Sequence, residues 1–148
     1  MTLSKERLEA RERWFKALED LNLMIEGLPI NQGRTYLAFK HEEAKGVSCC
    51  CLGVALLVEN EDHTPLCTPG TITFRKDGNE LCSYPATEWF SQTYGISEQN
   101  ADEFMRAAAA ANDDILASFP RIARWARRQF DRLDKGLKVQ RIDQEEQI

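Results

Sequence analysis

The run Cys49-Cys50-Cys51-Leu52-Gly53-Val54-Ala55-Leu56-Leu57-Val58 is apolar on every side, so it has to be enclosed on every side. Such a segment forces the rest of the chain to build layers around it, and 148 residues with 43% hydrophobic content suffice for one domain of that kind. Periodicity does not separate strand from helix here. A length of about eleven residues from Ser48, with a serine at the entry, favours helix. Gly53 costs ~1 kcal/mol in a helix interior relative to Ala and marks a close approach by another element.

Around that centre the punctuation is clear. Residues 4–26 predict an amphipathic helix, with Trp14, Leu18, Leu21 and Ile25 at three- and four-residue steps, Ser4 as N-cap and Gly27 with Pro29 as the stop. Asn31-Gln32-Gly33 reads as a turn, Thr35 to Phe39 as a short strand, and His41 to Gly46 and residues 59–70 as loops. Asp77-Gly78 predicts a hairpin that pairs Phe74 with Leu81. Pro85 opens a short helix with Trp89 and Phe90 that stops at Gly95. Ser97 caps the next helix, which Asn112-Asp113 breaks, and Ser118-Phe119-Pro120 enters a last helix ending at Gly136. The expected fold class is α+β: a helix-rich single domain over 1–136 with a small antiparallel sheet or β-hairpin, followed by a polar, frayed tail over 137–148.

Several function classes drop out at once. No apolar run reaches the ~18–20 residues of a membrane span, and the charged start (Lys5, Glu6, Arg7) has no signal-peptide core behind it. Five cysteines in irregular spacing point to a reducing cytoplasm. The Gly-rich phosphate loop, G-x-G-x-x-G, H-E-x-x-H and G-x-S-x-G are all missing from the sequence.

The residues that remain have both a chemical and a structural use. Cys50, Cys51, His63 and Cys67 are the metal-ligand candidates, but no C-x-x-C pair occurs and a contiguous cysteine triplet points its members in different directions. Burial among Leu and Val explains the cysteines as small hydrophobes, so no metal and no cofactor is expected. A catalytic Cys would need a base such as His41 or His63. Asn112 and Asp113 could serve a polar ligand or acid/base chemistry. An Asn in the left-handed conformation followed by an Asp turn explains them more simply.

From Phe119 onward eight Lys and Arg face five Asp and Glu, a balance of +3 that leaves −8 for the rest of a chain whose total is −5. Arg121, Arg124 and Arg128 on that helix are candidate anion contacts. The acidic pI near 5.1 argues against a nucleic-acid partner. Trp14, Trp89 and Trp125 lie on apolar stripes and read as core.

Taken in order, Trp14 with Ala17-Leu18, Gln32-Gly33, Leu37, Cys50-Cys51-Leu52-Gly53-Val54, Pro85, Trp89, Gly95, Asn112-Asp113, and Phe119 with Ile122-Ala123 resemble a group of small uncharacterised proteins of tailed bacteriophages and prophages. The most specific element is Cys-Cys-Leu-Gly-Val followed later by Asn-Asp and Phe-x-x-Ile-Ala. Cys49, the alanine run before Asn112 and the long basic extension past Trp125 depart from the group's pattern. The resemblance implies a phage origin and brings no activity, cofactor or catalytic residue with it. It adds Gln32, Cys50 and Gly53 to Asn112 and Asp113 as positions of a shared pattern.

The leading expectation is therefore a phage-encoded, non-enzymatic accessory protein in the cytoplasm of the infected host, acting by binding a host protein, with a defence component among the candidate targets. A small-molecule or nucleotide-signal binder using Arg34, Asn112, Asp113 and the basic helix is the second. A Cys- or zinc-dependent enzyme is the third.

Overall fold

The computed structural model describes residues 3–20, 50–59 and 86–145 with their side chains, together with Asn22 and Gln32, and describes only the backbone of short extended segments between residues 24 and 85. Arg34, His41, His63 and the Asp77-Gly78 turn lie outside the described residues, as do the side chains of Cys49, Cys67 and Cys82.

Six helices make up the described body: α1 (Lys5–Glu19), α2 (Cys51–Glu59), α3 (Ala86–Tyr94), α4 (Glu98–Asp113), α5 (Phe119–Asp134) and the single-turn α6 (Ile142–Glu145). This corrects the α+β expectation. Among the described residues, every buried apolar residue of the core comes from a helix except Cys50 and Ala117, which sit at the entries to α2 and α5. Gln32 apart, only backbone pairing is described for the extended segments, such as Leu28–Gln32 beside Val47–Cys49 and Thr71–Lys76 beside Glu80–Pro85. In the second pair Phe74 stands opposite Cys82, one residue from the expected partner.

Helix boundaries follow the cap chemistry. Ser4, Ser97 and Ser118 each accept a hydrogen bond from the backbone N–H three residues on, supplying donors of the first turn with an acceptor. Gly95 and Gly136 end α3 and α5 with φ of 71° and 79°, as their positions in the sequence predict. Helix α1 ends at Glu19, well short of the expected 26. Asp20 caps it, and the Asp20 carboxylate accepts from the N–H of Asn22 at 2.9 Å, a local bond that turns the chain away from helix.

At the centre the Trp14 ring meets Phe15, Phe90, Tyr94, Phe104 and Phe130 at 5.5–6.3 Å between centroids. Its indole N–H donates to the Cys51 carbonyl at 2.9 Å, which ties α1 to the start of α2. The apolar run is enclosed as expected, with Cys51 to Leu57 all buried. Among the described residues, one buried side-chain polar group has no hydrogen-bond partner, the Tyr94 hydroxyl. Burial, with Glu59 adding to it and Arg13 opposing it, holds the phenol well above its ordinary 10.0. The unfolded chain releases that proton near pH 10 and the folded chain retains it, so stability falls as pH rises past about 10. In urea titrations Tyr94→Phe should therefore match or exceed the wild type by about 1 kcal/mol near neutral pH. It should also flatten the alkaline decline.

The segment 137–145 is not a frayed tail. Ile142 is completely buried, and Trp125, Arg128, Gln129 and Arg132 of α5 all hold this stretch of chain.

Candidate functional site

The structure brings most of the shared-pattern residues to one place, where α2 begins and α4 ends. Cys51 is the first residue of α2, and its N–H is one of the donors a helix start leaves without an intrahelical partner. Asn112, buried at 1% exposure in the last turn of α4, supplies the acceptor: its Oδ1 takes the Cys51 N–H at 3.2 Å and the Gln32 Nε2–H at 3.0 Å. Its Nδ2 donates to Asp113 Oδ1 at 2.8 Å. Gln32 also donates to the Ala117 carbonyl at 2.7 Å, and the Cys51 thiol faces the Ala108 carbonyl at 3.6 Å. An amide from another helix thus caps α2 in place of a local Ser or Asp.

This geometry corrects the role expected of Asn112. The helix does end at the expected pair, at Asp113 with Asp114 as the cap, but Asn112 itself is helical and does not adopt the left-handed conformation. The left-handed residue at this corner is Leu116, with φ of 62°. Ile115 N–H donates to the Ala110 carbonyl and Ala117 N–H to the Ala111 carbonyl, both at 2.9 Å, and these bonds with Gln32 fix the corner on either side of Leu116. The Leu116 side chain is 51% exposed.

Cys50 precedes α2 in the same node. Burial pushes its thiol above the ordinary 9.0 and Asp113 pushes it further, against the backbone N–H groups of Gly53 and Leu52. A thiol held protonated this way is the reverse of an activated nucleophile. Among the described residues no group of three or more His, Cys, Asp or Glu is placed to hold a metal ion.

The basic-helix candidates separate. Arg128 pairs with Glu145. Its neighbour Arg127 forks onto Glu12 at 2.8 and 3.0 Å, reaches Glu19 and lies 4.9 Å over the Phe15 ring. Arg124 is exposed on α5, and Arg121 sits in its first turn, with its backbone N–H bonded to Ser118. Arg127 is thus paired with acids of α1, while Arg128, Lys135 and Arg141 pair with acids of the C-terminal segment itself, so among the described residues four of the eight bases from Phe119 onward are held in ion pairs. A shallow groove of about 590 Å³ lies away from all these residues, between Arg7, Ser97, Asn100 and Asp134.

Leu116 is the residue that sequence reasoning missed. No Gly or Asn stands between Asn112 and Ser118 to mark a left-handed position, so the sequence carries no local signal for it.

Compared with family models, curated proteins and solved structures, the chain shows no match. Among the described residues no helix is long and apolar enough to cross a membrane.

Proposed function

We propose that this chain is a phage-encoded accessory protein that acts in the cytoplasm of the infected cell by binding a host protein, with the α4–α5 corner at Leu116 as its contact. Leu116 is the observation that carries this. A leucine in the left-handed region costs about 1–2 kcal/mol, which the glycines at the two other left-handed corners avoid. Half of its side chain stands in water, so burial returns little of that cost to the fold. The cost is understandable if the side chain is presented to a partner, since strained residues held by their surroundings gather at functional positions. Gln32 ties the Asn112 node to this corner, since it donates both to Asn112 Oδ1 and to the Ala117 carbonyl. The phage origin rests on the resemblance carried by the Cys-Cys-Leu-Gly-Val and Asn-Asp motifs.

Affinity capture from a bacterial host lysate tests this directly. The wild-type chain should retain one host protein in stoichiometric amount, and Leu116→Gly should lose it by about tenfold or more, the loss of one anchor side chain. Capture of nothing above background by the wild type would refute the proposal.

A further inference from the structure

The four side chains through which α5 holds the C-terminal segment form a pattern. Trp125, Arg128, Gln129 and Arg132 stand at i, i+3, i+4 and i+7, one face of the helix. Three of them read main chain rather than side chain: Trp125 Nε1–H donates to the Gln140 carbonyl at 2.8 Å, Gln129 Oε1 accepts the Gln140 N–H at 2.6 Å, and Arg132 Nε–H donates to the Lys138 carbonyl at 3.0 Å. Beyond that stretch, Ile142 inserts completely into the body, while Gln129 and Arg128 both engage the Glu145 carboxylate. Main-chain contacts for affinity with side-chain positions for selectivity are the division of labour by which a sheet edge binds an extended peptide, and this helix face applies the same division to its own segment. Past Leu137, among the described residues, no main-chain to main-chain bond joins this segment to the helices beneath it. Gly136, with open space where a Cβ would stand, is the pivot at its start.

We propose that this face of α5 is a peptide-binding surface, closed in the free protein by residues 137–145 and able to accept a partner's peptide that carries an aliphatic residue three positions before a carboxylate. The occupant's chemistry is read from the segment already seated there, Ile142 and Glu145. This surface is separate from the Leu116 corner and does not depend on the function proposed above.

The full-length chain supports two tests. In native-state hydrogen exchange, the Gln140 amide should exchange about 100-fold or more faster than the Phe130 amide, because the segment opens without unfolding α5. Equal rates for the two amides would overturn the proposal. In the second test the probe is a fluorescent synthetic peptide of residues 137–148. Full-length Ile142→Ala, whose own segment is loosened, should bind it about tenfold or more tightly than the wild-type chain does, and a peptide with Asp in place of that Ile should bind neither. Equal binding by both chains would also overturn it. If Ile142→Ala fails to fold, the exchange measurement on the wild type decides alone.

Discussion

Replacing Asp134 by Ala is expected to cost the fold about 3–5 kcal/mol, more than replacing Arg11 by Met. Arg11 is the only charged side chain in the buried set of the described core, at 4% exposure, and it is held from three directions. Its Nε donates to the Tyr94 carbonyl at 2.8 Å, its two terminal nitrogens fork onto the Asp134 carboxylate at 2.8 and 3.1 Å, and the guanidinium lies 4.5 Å over the Phe130 ring. These contacts join α1 to the ends of α3 and α5. Removing the acid leaves a guanidinium out of water with its charge uncompensated. Removing the base leaves a carboxylate that is already 37% exposed and can hydrate, with only the Tyr94 carbonyl losing a donor. Urea midpoints for the two variants measure the asymmetry, and the reverse order would show that the pair is not the effectively buried charge its exposure indicates.

Asn112→Asp is the second large effect, about 2–4 kcal/mol near neutral pH. The substitution keeps the oxygen that caps α2 but exchanges the Nδ2 donor for an oxygen facing Asp113 Oδ1, which stands 2.8 Å from Nδ2 in the wild type. Two carboxylates then meet in the last turn of α4, one at the buried position 112 and one half-buried, and the new one has its pKa raised by burial and by its like-charged neighbour. A raised acid is stable while protonated, so the variant should approach wild-type stability as pH falls below about 4, the unfolded Asp value, and lose it as pH rises from there through the shifted value. Adding Asp113→Asn should restore part of the neutral-pH loss. A pH-independent loss would show that the amide donor to Asp113 plays no part in the node.

Helix caps and the apolar run were legible in the sequence because their chemistry is local: Ser4, Ser97 and Ser118 start helices, Gly95 and Gly136 end them, and the run from Cys51 is buried. The α+β fold class was not, because strand-like composition near 35–39 and 71–84 says nothing about whether those segments reach the core, and the described core is built from the helices. The C-terminal segment read as polar tail since its one buried anchor, Ile142, is isolated among charges, and its docking comes from Trp125 and Gln129 far back in α5. For the candidate site, the sequence singled out Asn112, Asp113, Gln32 and Cys50 without placing them together. Their meeting depends on bonds 61 and 80 residues apart in the chain, between Asn112 and Cys51 and between Asn112 and Gln32, which no local pattern encodes.

The claim that the α4–α5 corner is shaped for contact rather than for stability is tested most directly by the equilibrium unfolding of Leu116→Gly. Relief of the left-handed leucine should raise the unfolding free energy by about 0.5–1 kcal/mol, even after the extra flexibility glycine gives the unfolded chain. A loss of stability of similar size would contradict the claim, because it would mean that the leucine side chain serves the fold itself.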